Sequence, residues 1–137
     1  MLKLNRKVEY SLLALEHINQ QVADTVVTSK EIAEAKKVPE KLLSKILQNL
    51  TRDGWIESVR GVQGGYRMAQ GNLNKMSLIK LIENSGEKIN LVNCMDSGNS
   101  ICPQAKGCEI KTPITRLQGK IYEIFSKTSV GELISAR

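Results

Sequence analysis

The spacing of apolar residues changes character twice along this chain. It is helical up to Leu50, extended after Gly54, and helical again from Ser77 onward. One short extended excursion inside a helical chain restricts the fold to a mainly α architecture carrying a small β-hairpin. Asn5 is placed to cap a first helix in which Val8, Leu12, Leu15, Ile18 and Val22 recur at three- to four-residue steps. Leu13 and Ala14 widen that stripe, and the helix is expected to run to about residue 21. Thr28-Ser-Lys-Glu31 has the form of a capping box and starts a short helix through Ala35 or Lys36. Pro39 suits the first turn of a third helix, where a missing N–H costs nothing. Leu43, Ile46, Leu47 and Leu50 form its buried stripe, and Asp53-Gly54 ends it. Two helices separated by about three residues make a helix-turn-helix. Trp55–Arg60 and Tyr66–Ala69 then flank Gly61-Val-Gln-Gly-Gly65 as a hairpin with a glycine-rich tip. Ser77 caps a fourth helix carrying Leu78, Leu81 and Ile82, which Gly86 closes.

The chain's three cysteines, Cys94, Cys102 and Cys108, all fall in one stretch rich in turn formers (Gly98, Asn99, Ser100, Pro103, Gly107). Cysteines filling a core would be scattered at helical or strand spacing, whereas these sit where a backbone can wrap around a small object. The intervals of seven and five residues lack the tight Cys-x2-Cys turn of a zinc ribbon. Three thiolates can hold a 2Fe-2S or 4Fe-4S cluster, the fourth position taken by a weaker nitrogen or oxygen donor. A structural zinc site and a metal-free thiol redox switch are the alternatives. Nucleophilic catalysis fails for want of partners, since His17 is the only histidine.

Beyond the cysteines, Thr112-Pro113 reads as an N-cap and first-turn signal for a long helix whose Ile114, Leu117, Ile121 and Ile124, with Phe125 alongside, form a narrow stripe. Such a stripe pairs with a second helix, as in a dimer, or packs on the chain's own domain. Ser129 caps a final short helix through Leu133 and Ile134. The chain therefore divides into residues 1–86 (winged helix-turn-helix), 87–111 (cysteine loop) and 112–137 (dimerisation helix and short C-terminal helix).

At 137 residues the chain holds one real core, and a net charge of +6 points to a polyanionic partner. No secretory h-region and no run of about 18 apolar residues is present, so a soluble, cytoplasmic protein without membrane contact is expected. In a reducing compartment an odd number of cysteines suits thiolate ligation better than disulfides. Opposite the apolar stripe of the third helix, Lys41, Ser44, Lys45 and Gln48 share one donor-rich face that fits a major groove. Lys36, Lys37 and Arg52 lie where phosphates would pass. The plain reading of that face is a solvated helix surface. The hairpin favours DNA: Arg60 and Arg67 bracket a tip where Gly64 and Gly65 allow close approach to a sugar–phosphate wall, and an arginine there can enter a narrow minor groove. A phosphate-binding P-loop is excluded, because no Gly-Lys-Ser/Thr follows the glycines.

Leu4 to Tyr10, the helix pair from Thr28 to Gly54, Ser58-Val-Arg-Gly-Val-Gln-Gly-Gly-Tyr66, the cysteine loop and Ser129-Val-Gly-Glu-Leu-Ile134 together resemble the Rrf2 family of bacterial transcription regulators, of the cluster-binding IscR and NsrR type. The resemblance covers essentially the whole length. It implies a homodimeric winged-helix regulator or repressor that binds a double-stranded operator, takes no small-molecule substrate, is not an enzyme, and responds to redox, nitric oxide or iron status through its cluster. It also implies a fourth ligand. Some members place a histidine three residues after the last cysteine, where this chain has Lys111. Others draw a carboxylate from the partner subunit's first helix, where the matching residue is Glu9, with His17 the second choice. Asp96 and Glu109 adjoin the loop as further candidates. The first cysteine interval is longer than the family's five residues, so 2Fe-2S and 4Fe-4S both stay open, with 2Fe-2S the first choice.

Overall fold

A computed structural model describes residues 2–70, 73–92, 94 and 102–135. Helix α1 spans Arg6–Asn19, α2 Ser29–Lys36 and α3 Glu40–Arg52; the strands β1 (Ile56–Val59) and β2 (Gly65–Met68) follow. A 3-10 turn at Leu73–Lys75 leads to α4 (Leu78–Asn84), α5 (Lys111–Lys127) and α6 (Val130–Ser135). The architecture is a winged helix-turn-helix with an additional long helix.

The caps explain where the helices begin. Asn5 Oδ1 accepts from the Val8 amide at 2.9 Å, and Thr28 Oγ1 accepts from the Glu31 amide at 3.1 Å. Helix α1 is shorter than its apolar stripe suggested. It stops at Asn19, and Val22, expected on the buried face, is 80% exposed in a turn that the Thr25 amide closes on the Val22 carbonyl at 2.9 Å. Pro39 is the residue before α3 rather than part of its first turn, with ψ of 124°. Its fixed φ still sets the chain's direction into the helix. Between α2 and α3, Lys37 takes a left-handed conformation (φ 54°) and Val38 is buried beneath the turn. Leu43, Ile46, Leu47 and Leu50 are all buried, which turns the opposite face of α3 outward.

The hairpin pairs Ile56 with Met68, Glu57 with Arg67, Ser58 with Tyr66 and Val59 with Gly65. It does not stand alone. Val27, between α1 and α2, bridges Tyr66 through two backbone bonds, the Val27 amide to the Tyr66 carbonyl at 2.9 Å and the Tyr66 amide to the Val27 carbonyl at 2.7 Å. The wing is thereby tied to a buried residue of the core.

Gly86 and Glu87 end α4 with the paired bonds of a Schellman motif, to the carbonyls of Glu83 (3.0 Å) and Ile82 (3.4 Å). Helix α5 starts one residue ahead of the Thr112-Pro113 signal: Ile110 precedes the helix without a side-chain cap, and Pro113 sits in the first turn, where its missing N–H has no partner to lose. Before α6, Ser129 and Glu132 form a reciprocal capping box, Glu132 N–H to Ser129 Oγ at 3.1 Å and Ser129 N–H to Glu132 Oε2 at 2.8 Å. Val130 and Ile134 join the same core cluster as Val8, Leu15, Leu43 and Trp55, so the chain beyond α5 returns to the winged domain. A bridge between Ser77 and Ser129 fastens that return. A Cβ at Gly131 would lie 3.1 Å from the Asn74 amide nitrogen.

Candidate nucleic-acid interface and cysteine segment

The outward face of α3 carries Lys41, Lys45 and Gln48 exposed and Ser44 half-buried. Among the described residues neither Lys41 nor Lys45 enters an ion pair. Arg60, at the foot of the wing tip, is exposed and likewise unpaired. Among the described residues no hydrogen-bond or ion-pair partner engages the positive charge and side-chain donors of these groups, the condition for meeting phosphates and base edges.

Two other cations are committed inside the molecule. Lys36 Nζ lies 3.1 Å from Glu16 Oε2, with both side chains largely shielded, so it fastens α2 to α1. Arg67 Nε lies 3.2 Å from Glu57 Oε2, straight across the hairpin. The glycines of the wing are demanded by the backbone itself. A Cβ at Gly64 would stand 2.4 Å from the Val59 carbonyl oxygen, and one at Gly65 (φ +156°) 2.4 Å from the Val27 carbonyl oxygen.

Cys94, Cys102 and Cys108 are free thiols, Cys94 exposed and the other two half-buried. From Cys102 the chain runs in turns, the Ala105 amide donating to the Cys102 carbonyl at 3.1 Å and Gly107 taking φ +84°, up to the start of α5 just past Cys108. Residues 95–101, including Asp96, lie outside the described residues. Among the described residues no group of three or more His, Cys, Asp and Glu side chains is placed to hold a metal ion. Glu9 is exposed in the first turn of α1 and no ion pair among the described residues holds its carboxylate, Glu109 is exposed beside Cys108, and His17 is half-buried in the last turn of α1. The donor set, three thiols and an uncommitted carboxylate, is chemically suited to an iron–sulfur cluster.

A contact that the sequence did not signal joins this segment to α5. Gln118 Oε1 accepts from the Leu91 amide at 2.9 Å, and Gln118 Nε2 donates to Asn90 Oδ1 at 3.2 Å. The stretch leading to Cys94 is thus tied to the long helix through the Gln118 side chain. Helix α5 also meets α4, where Tyr122 donates to Glu83 Oε1 at 3.0 Å; that hydrogen bond to the carboxylate raises the Tyr122 phenol above its usual pKa.

The apolar stripe of α5 is divided. Ile114, Ile121 and Phe125 are half-buried, whereas Ile110, Leu117 and Ile124, spaced by seven residues, are 63%, 47% and 61% exposed. No residue of this helix is fully buried. A cleft of about 700 Å³ lined by Leu4, Val8, Ile82, Ile89, Leu91 and Phe125 opens between the N-terminal segment and α5. No helix among the described residues is long and apolar enough to cross a membrane.

The sequence matches the Rrf2 family, described as an iron-dependent transcriptional regulator, over residues 4–136. The transcriptional regulator NsrR of Oceanobacillus iheyensis is 25% identical over 135 residues, 97% of this chain and 90% of that protein. The structure of CymR, the global cysteine regulator of B. subtilis, superimposes with a TM-score of 0.73 at 20% identity and covers 100% of this chain and 99% of that one. That of T. potens IscR does so with a TM-score of 0.68 at 22% identity, covering 98% and 87%. At these identities the two structures speak for the fold.

Proposed function

Because the chain belongs to the Rrf2 family of transcriptional regulators, we propose that it is a cytoplasmic, homodimeric repressor-type regulator whose grip on a double-stranded operator is set by an iron–sulfur cluster on Cys94, Cys102 and Cys108. The observation that carries the cluster is the donor set itself: the chain's only cysteines are three free thiols in the segment that runs into α5. Glu9 of the partner subunit is the proposed fourth ligand, because its carboxylate is exposed and uncommitted. Such a cluster supplies a centre that oxidation, nitrosylation or iron loss can dismantle.

The chain's own residues do the rest. Lys41, Ser44, Lys45 and Gln48 face the major groove, and Arg60 faces the minor groove. Gly64 and Gly65 allow the tight wing backbone, while Arg67 and Lys36 hold their elements in place. Ile110, Leu117 and Ile124 supply the seam to the second copy, with the half-buried Ile114 and Ile121 beside it. Gln118 sits between the two functions. With Asn90 and Leu91 fixed to α5, a change in the cysteine loop reaches the helix that sets the separation of the two winged domains. A second reading, in which the thiols switch without metal, is favoured by three free thiols in one segment, one of them, Cys94, exposed.

Anaerobic purification followed by iron, sulfide and zinc analysis separates these readings. Stoichiometric iron and sulfide, with visible absorption lost in each of Cys94→Ala, Cys102→Ala and Cys108→Ala, is the expected outcome. Colourless protein with one zinc per chain, or metal-free protein whose DNA binding follows thiol oxidation, overturns the cluster.

A further inference from the structure

The tip of the wing is a closed turn. The Gly64 amide donates to the Gly61 carbonyl at 3.0 Å, which makes Val62 and Gln63 its central residues and its outermost side chains. Val62 is 107% exposed, and Gln63 is exposed beside it. A β-branched apolar residue at that place contributes nothing to folding. Neither central residue takes a positive φ, so the turn itself calls for no particular residue there, and the whole valine is open to water.

The support beneath these two side chains is tightly built. Gly64 packs so closely that an added Cβ would meet the Val59 and Gly61 carbonyl oxygens at 2.4 and 2.9 Å, and Gly65 is pressed against the Val27 backbone. The Val27–Tyr66 bridge and the Glu57–Arg67 ion pair brace the strands below. Val62 and Gln63 are therefore offered on a preorganised backbone, with little ordering to be lost on contact.

We infer that Val62 and Gln63 are a specificity-determining pair that reads A·T base pairs in the minor groove beneath the wing; this rests on the DNA-binding reading above. The chemistry of that groove favours the pair. A·T steps present only the adenine N3 and thymine O2 acceptors there, and the Gln63 amide N–H donates to either. A G·C pair projects the guanine amino group into the same space, where the methyls of Val62 would strip its water and the Gln63 amide would have to turn its Oε1 toward it, giving up the N–H donation. Arg60, at the foot of the turn, adds attraction to the narrow groove without distinguishing the pairs by itself.

The test uses the full-length protein, its Val62→Thr variant, which is nearly isosteric but polar, and Gln63→Ala. Each is used to enrich binders from a pool of randomised 30-base-pair duplexes (about three helical turns). Wild type is expected to enrich a central motif flanked by A·T pairs under each wing. Both variants are expected to keep the central motif and lose the flanking preference. An A·T-to-G·C change under the wing should weaken wild type about tenfold and either variant no more than about twofold. Thermal midpoints should be unchanged, since the tip packs on nothing. Identical flanks and affinities for all three proteins overturn the pair while leaving DNA binding intact. Failure of wild type to enrich any sequence overturns the DNA-binding reading as well.

Discussion

Replacing Gly65 by alanine probes how firmly the wing is braced on the core. A Cβ at this position would lie 2.4 Å from the Val27 carbonyl oxygen and 2.8 Å from both Val26 Cγ1 and the Val27 carbonyl carbon. Two of those three atoms are backbone, so no side-chain rotation relieves the clash and Val27 must withdraw from Tyr66. The withdrawal sacrifices the two Val27–Tyr66 bonds, of 2.9 and 2.7 Å. Each is worth about 1 kcal/mol net. A non-glycine residue at φ +156° adds strain of about 1–3 kcal/mol. The sum, about 3–5 kcal/mol, is a large part of the roughly 5–15 kcal/mol that holds a domain of this kind together. It corresponds to a midpoint lowered by about 10 °C or more. Gly61→Ala is the control, because Gly61 has φ +122° but open space around its Cβ. Circular dichroism melts of the two variants under anaerobic conditions should place Gly65→Ala at least about 5 °C below Gly61→Ala. A Gly65→Ala protein that melts with wild type yet loses operator affinity would refute this reasoning and give the glycine back to DNA approach.

Other perturbations follow from the same contacts. Leu117→Asp with Ile124→Asp should yield monomers of normal helical content by sedimentation, because both side chains point away from the chain's own domain, whereas Ile121→Asp should also destabilise the monomer. Lys36→Ala should lower stability by about 1 kcal/mol through loss of Glu16 and leave the salt dependence of DNA binding unchanged; Lys41→Ala or Lys45→Ala should flatten it by about one counterion each. Gln118→Ala should speed hydrogen exchange at the Leu91 amide by about tenfold, the measure of the clamp on the cysteine segment, and unchanged exchange would show that Gln118 does not hold it.

Much of the fold was legible because its signals are local. Asn5, Thr28, Ser77 and Ser129 each cap the helix that the pattern assigned to them, and the apolar stripe of α3 is buried residue for residue. Long-range contacts were not legible. The Val26-Val27 pair is β-branched, a faint strand signal, but nothing in it names Tyr66 as partner. Glu16 and Lys36 stand twenty residues apart, and Gln118 is one polar residue among many on an exposed helix. Arg67 and the two wing glycines were read as facing DNA, and the structure supplies each with a reason inside the chain. Local pattern identifies an element, while its partner depends on how the elements pack. The α5 stripe illustrates both: its period was plain, but its division into a half-buried flank and an open seven-residue row came only from packing against α4 and the segment at 90–91.

The central claim is that the cysteine segment governs DNA binding, and operator affinity measured on one anaerobic preparation before and after removal of the proposed cluster tests it most directly. A duplex enriched by the wild-type protein is titrated with the cluster-loaded form, then with the same protein after chelation, and both titrations are repeated with Cys102→Ala. Loaded and stripped wild type should differ in affinity by at least about tenfold, a coupling of about 1.4 kcal/mol, while Cys102→Ala matches the stripped form throughout. Equal affinities for the loaded and stripped protein, at unchanged dimer content, would contradict the account.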